Sequence, residues 1–259
     1  AMTRFSTWWL LLAVTASGAS VPVDDFEGFH AGDTVHGVNG WTVIDSGGAP
    51  KDNQVVQDPA DAGNLALELR DGPENTIHEA TLPAGSSGAL SFRFHVPAGS
   101  TSDVDLSIGM SSAPAPTSGT QLLPSLRLND GVFQVYHDDA WRDAQSYAVD
   151  TWYRVEMAIE NEAPADDADI VNDGVFSVTV EGGAFATPTS LALLADGTDT
   201  FGFRGSPAEG DLVRFVVRGN NNQAGDVALI DDIHLETDDV LAPGAPENNY
   251  AAWQELHFP

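Results

Sequence analysis

The sequence predicts an all-β protein, a two-sheet antiparallel β-sandwich, and three observations lead there. From residue 24 onward apolar and polar side chains alternate with a period of two, as in strands with one face on a core. Clusters of Gly, Pro, Asn and Asp break that alternation at short intervals, where turns need special backbone angles. No segment between residues 24 and 240 keeps apolar side chains at a 3.6 period for three turns. The pattern yields roughly a dozen strands, and no blade-length repeat points to a propeller.

Residues 1–20 read as an export leader. Arg4 gives the positive start, Trp8 to Val14 is an uninterrupted apolar run, and Ala16-Ser17-Gly18-Ala19-Ser20 offers small residues for cleavage. The run is too short for a permanent membrane span, and no second long apolar stretch follows. The expected β-domain runs from 21 to 240. In it Leu65, Leu67 and Leu69 share a face, as do Leu90, Phe92, Phe94 and Val96, then Val104, Leu106, Ile108 and Met110. Tyr153, Val155, Met157 and Ile159 repeat the pattern, followed by Phe176, Val178 and Val180, then Val213, Phe215 and Val217. Asn129-Asp130-Gly131 and Asn172-Asp173-Gly174 read as tight turns. Ser111 to Gly119 and the acidic stretch Glu160 to Asp173 read as surface loops. Residues 241–259 change character: a Pro/Gly linker, then a short helix from Tyr250 to Leu256, expected as a docked tail or a lead into further domains.

Composition narrows the function classes. Ten basic residues against 39 acidic ones give a formal charge of −29 over 259 residues, and Lys51 is the single lysine. Nucleic-acid binding and docking on anionic lipid both need a basic patch, so neither is expected. Zero cysteines exclude disulfides, thiolate metal sites and a cysteine nucleophile. The expectation is a soluble acidic protein, secreted or at the cell surface. Its acidity would suit either a salty medium or ordinary solubility.

Three local patterns together resemble a known family. They are Asp24-Asp25-Phe26-Glu27-Gly28-Phe29 running to Asn39-Gly40-Trp41, then Asp130 to Tyr136 followed by Asp150 to Val155, and the closing Val227-Ala228-Leu229-Ile230-Asp231-Asp232-Ile233. This resembles the laminin-G-like, concanavalin A-like jelly rolls of secreted bacterial proteins, and the first and third patterns are similar to jelly-roll carbohydrate-binding modules. The resemblance covers roughly residues 24 to 237 and implies two curved antiparallel sheets, one facing ligand. It implies nothing specific about activity, since that sandwich carries lectins, binding modules, glycosidases and lyases.

Several constellations could carry chemistry. Asp231 shares the parity of Val227, Leu229, Ile233 and Leu235, and a core-facing carboxylate needs a cation or several donors. In the similar binding modules a structural calcium (Ca2+) ties the first strand to the last. Carried over by position, this nominates Asp25, Glu27, Asp231 and Asp232. The alternatives are an Asp231 ion pair with an arginine, or the opposite parity with Ile230 inward. The acidic run from Asp166 does not match a calcium-loop spacing.

Arg70, Arg93, Arg154, Arg214 and Arg218 fall on the strand parity opposite the bulky residues. Cross-strand pairing with Glu68, Glu156 or Asp211 explains them; so does a strip gripping carboxylate or sulfate groups of a polysaccharide. Arg93 and His95 point to one side of a strand. The similar polysaccharide lyases use arginine to neutralise a uronate and histidine or tyrosine to take a proton, which nominates Arg93, His95, Tyr136 and His78. Their full strand motifs are missing, as is the E-x-D-x-x-E motif of the similar glycosidases. No G-x-S-x-G elbow, H-E-x-x-H helix, Walker loop or Rossmann fingerprint occurs. The resemblance implies core positions for Trp41 and Trp152, leaving Trp141 as the exposed aromatic for stacking on sugar, with Tyr136 and Tyr147 near. The first expectation is therefore a carbohydrate-binding or adhesion module using Arg70, Arg93, His95, Tyr136 and Trp141. A lyase acting on acidic polysaccharide is the alternative, and a spacer that binds nothing but calcium is the third.

Overall fold

The computed structural model describes residues 19–45, 47–51, 53–70, 76–85, 88–100, 104–116, 118–160, 174–204, 212–219 and 227–237. Its strands are β1 (Ala19–Asp24), β2 (Trp41–Ile44), β3 (Val55–Gln57), β4 (Leu65–Arg70), β5 (Ile77–Gly85), β6 (Gly88–His95), β7 (Asp105–Ser111) and β8 (Ser125–Asn129). There follow β9 (Val132–His137), β10 (Ala140–Ser146), β11 (Trp152–Glu160), β12 (Val175–Gly182), β13 (Phe185–Ser190), β14 (Phe201–Gly202), β15 (Leu212–Gly219) and β16 (Val227–Thr237). The expected linker and helix of 241–259, most of the leader and the run 161–173 lie outside the described residues. β1 begins at Ala19, two positions before the expected domain start.

Among the described residues these strands make two antiparallel sheets. One has nine strands in the order β13-β12-β11-β6-β16-β4-β3, with β1 on β16 and β14 on β12. The other has seven, β10-β9-β8-β7-β15-β5-β2. Alternation decides what lies between them. On β11 Tyr153, Val155, Met157 and Ile159 are buried, while Arg154, Glu156, Ala158 and Glu160 are exposed. The same rule turns Phe92 and Phe94 of β6 inward against Phe133 of β9 and Phe215 of β15. Each such side chain removed from water contributes about 1.5–3 kcal/mol, so the sandwich is the one arrangement that hides both apolar faces.

Two turns follow directly from local chemistry. Asp130 and Gly131 take φ of 47° and 76° between β8 and β9, the paired left-handed geometry of a two-residue hairpin. Asp138 and Asp139, at 48° and 59°, do the same between β9 and β10.

Two expectations are corrected. Trp152 is not a core residue: its parity is that of Arg154, and it lies half-buried on the outer side of the nine-stranded sheet, opposite His95. Asp231 does not face the core either. The register of β16 against β6 shifts between Asp231 and His234, and Asp232 adopts φ of 49°. This β-bulge makes Ala228 and Ile230 core-facing before it and Ile233 and Leu235 after it. A uniform period of two across residues 227–235 therefore gave the wrong side for Asp231.

Candidate functional site

On the outer side of the nine-stranded sheet, β6 presents Ser91, Arg93 and His95, and β11 presents Trp152 and Arg154. Arg93 Nη1 donates to Asp232 Oδ2 at 3.2 Å and stands 3.6 Å from Asp231 Oδ2. Its guanidinium also stacks on the Trp152 ring, 4.6 Å from the centroid. Asn64 Nδ2 donates to Asp231 Oδ2 at 2.9 Å and to Asp58 Oδ2 at 3.2 Å. Trp152 Nε1 donates to Asp58 Oδ1 at 2.9 Å, which closes a ring of contacts through Arg93, Asp231, Asn64, Asp58 and Trp152. Burial pushes the Asp231 carboxyl up to about 6 against the opposing pull of Asn64 and Arg93. His95 is buried beneath Trp152, its Nε2 3.6 Å from Asp150, and burial lowers its pKa.

This ring decides how the nominated calcium ligands are used. The Asp231 oxygens accept from Asn64 and from the Asp232 amide, and Arg93 Nη1 stands 3.6 Å from Asp231 Oδ2 and 3.2 Å from Asp232 Oδ2. Asp25 Oδ1 accepts from the Glu27 amide, and Glu27 Oε1 from the Leu65 amide. Among the described residues no three Asp, Glu or His side chains converge to hold a metal ion. Among the described residues, Asp231 is paired with Arg93 and Ile230 faces inward, the two alternatives to calcium read from the sequence.

The residues nominated for a lyase are not brought together. Arg93 and His95 belong to the outer side of one sheet, Tyr136 to the outer side of the other, with the whole core between them. His78 faces inward, opposite Val217 and Val43, 1% exposed and against the Asn53 side chain; burial holds its pKa at about 3. Arg70 ends β4 opposite Val227, and its side chain is not among those described.

The seven-stranded sheet carries the arrangement with the clearest chemical potential. Phe133 and Val135 of β9 are buried, so Gln134 and Tyr136 point outward. Trp141 of β10 pairs directly with Tyr136, and the two rings meet edge to face at 5.5 Å and 86°. Beside them Arg127 of β8 is opposite Ser107 of β7, which is in turn opposite Arg218 of β15. Arg127 and Arg218 thus leave the sheet two strands apart, about 10 Å at the backbone. Arg204 enters from the segment after β14, where its amide donates to Leu123 O at 2.8 Å. Its guanidinium lies 4.8 Å from the Tyr136 ring and 5.2 Å from the Trp141 ring, and that of Arg127 is 5.4 Å from Trp141.

The electrostatics there are uneven. Arg127 makes a two-pronged pair with Asp105, and Gln134 Nε2 donates to Asp143 at 2.6 Å. Arg204 sits in a partly desolvated position with Arg218 and Arg127 close by; desolvation lowers its pKa, the Tyr136 hydroxyl opposes that, and the like charges of Arg218 and Arg127 add to it. The Nε of Arg204 is buried without a hydrogen-bond partner. Arg127 and Arg204 were not singled out from the sequence. Arg127 has a signal in its place between Leu126 and Leu128, but Arg204 follows Phe201-Gly202-Phe203 with no periodicity to aim it.

No family model matches the chain, and no curated protein matches it. Solved structures do share its fold. The catalytic domain of a glycoside hydrolase family 131 protein from Coprinopsis cinerea aligns at a TM-score of 0.51 and 12% identity, over 87% of this chain and 99% of that one. A protein of unknown function from Shewanella oneidensis MR-1 aligns at 0.50 and 14%, over 90% and 92%. At these identities the likeness establishes the fold: the chain is a jelly-roll-like β-sandwich.

Proposed function

We propose that the chain is an exported, non-catalytic glycan-binding or adhesion module whose ligand face is the outer side of the seven-stranded sheet. The observation that carries this reading is the Tyr136–Trp141 pair. Two half-buried aromatic rings meet edge to face on the outer side of the sheet, with the Arg204 guanidinium beside both. Sugar rings present apolar C–H faces and rims of hydroxyls, which an aromatic platform with flanking donors complements. The fold shared with a glycoside hydrolase catalytic domain agrees with that ligand class. Export rests on the leader read in residues 1–20; among the described residues no helix is long and apolar enough to cross a membrane.

Affinity electrophoresis of the full chain against a panel of neutral and acidic polysaccharides tests the proposal. The expected result is retardation by at least one glycan, weakened about tenfold by Trp141→Ala, a loss near 1.4 kcal/mol. Retardation by none would remove the proposal. Growth of the ultraviolet absorbance of an unsaturated uronate during incubation would replace it with a lyase.

A further inference from the structure

We infer that the sugar taken by this face is anionic: its carboxylate or sulfate is received by Arg204, with Arg127 and Arg218 beside it, while its ring lies against Trp141 and Tyr136. This rests on the glycan-binding reading and narrows it to one charge class. The chain holds nine arginines and one lysine among 39 acidic residues, so carboxylates to neutralise an arginine are plentiful. Three of those nine meet at one place; Arg127 there is paired with Asp105, whereas Arg204 has no ion pair with any described carboxylate. Grouping like charges in a half-desolvated position is unfavourable for the free protein, and a bound anion reverses that sign. The Arg204 side chain is only partly covered, and a guanidinium meets carboxylate and sulfate oxygens through paired N–H groups.

The overall charge of −29 sets a condition on such binding. At low ionic strength the field of the whole molecule extends about 30 Å and repels a polyanion before it reaches the arginines. At about 0.1 M salt the Debye length is near 10 Å, so the distant acids are screened while the contacts persist; at about 1 M those contacts weaken too. Binding should therefore pass through a maximum at intermediate salt, where a basic protein's affinity would fall steadily.

The experiment titrates the full chain with dextran, dextran sulfate and polygalacturonate across that salt range, using wild type, Arg204→Ala and Arg204→Lys, with melting temperatures recorded for each. Dextran sulfate or polygalacturonate should bind best at intermediate salt, and whichever binds identifies the anion. Dextran should bind at least about tenfold more weakly, and Arg204→Ala should lose about tenfold while Arg204→Lys retains part. Should Arg204→Ala fail to fold, the lysine variant and the salt profile still decide. Binding of dextran as tight as that of both anionic polymers, or no effect of either substitution, would overturn the charge assignment and leave the glycan-binding reading standing. Binding of none of the three polymers would overturn both.

Discussion

Asp231 is fully covered, yet the nearest cation, Arg93, stands 3.6 Å away, so burial outweighs pairing and the carboxyl titrates at about 6. In an unfolded chain the same group titrates near 3.9. The folded state therefore holds this proton more tightly. Protonation of Asp231 stabilises the fold fully below about pH 3.9, and that contribution is lost as pH rises through 6. His78, held at about 3, acts in the opposite sense: its contribution is present above about pH 6.5 and falls away as the pH drops. Replacing Asp231 by Asn removes one slope and leaves the other. Between about pH 4 and pH 7 the melting temperature of Asp231→Asn should fall less, or rise more, than that of wild type. Parallel curves would show that Asp231 is not the buried acid described. In the sequence the arginine pair and the inward Ile230 stood only as alternatives, because the parity of Asp231 depends on a bulge whose only local sign is the Asp231-Asp232 pair.

At the scale of elements, the alternation from Leu65 to Val217 located β4, β6, β7, β11, β12 and β15 closely, since a period of two is a local property. Which sheet each strand joined was not legible. β6 and β7 are consecutive yet lie in different sheets, and that follows from long-range packing. So Arg93 and Tyr136 could be assigned to outer faces but not to the same or opposite ones. Glycine marks one place where the element could form in no other way. A Cβ on Gly109 of β7 would lie 2.0 Å from Pro124 O, the backbone that enters β8. Gly109→Ala must push this segment outward, and overpacking of that kind costs about 1–3 kcal/mol, read as a lower melting temperature. An unchanged melting temperature would mean that the segment entering β8 is not held so close.

At the scale of the whole molecule, the two outer faces differ in how their cations are used. The nine-stranded sheet ties Arg93 into a ring with Asp231, Asp232 and Trp152, closing a contact set that holds β6, β11 and β16 together. The seven-stranded sheet leaves Arg204 against two aromatic rings. Because Arg93 occupies the neighbourhood of Asp231, millimolar calcium or a chelator should leave the melting temperature unchanged; a calcium-dependent rise would show that the acids regroup around a cation. The central claim is that ligand meets the Trp141 face and not the Arg93 face. Its most direct test compares the glycan affinity of Trp141→Ala with that of Arg154→Ala, an exposed arginine of β11 on the opposite side. A loss of about tenfold is expected for the first and none for the second. The reverse pattern would contradict it.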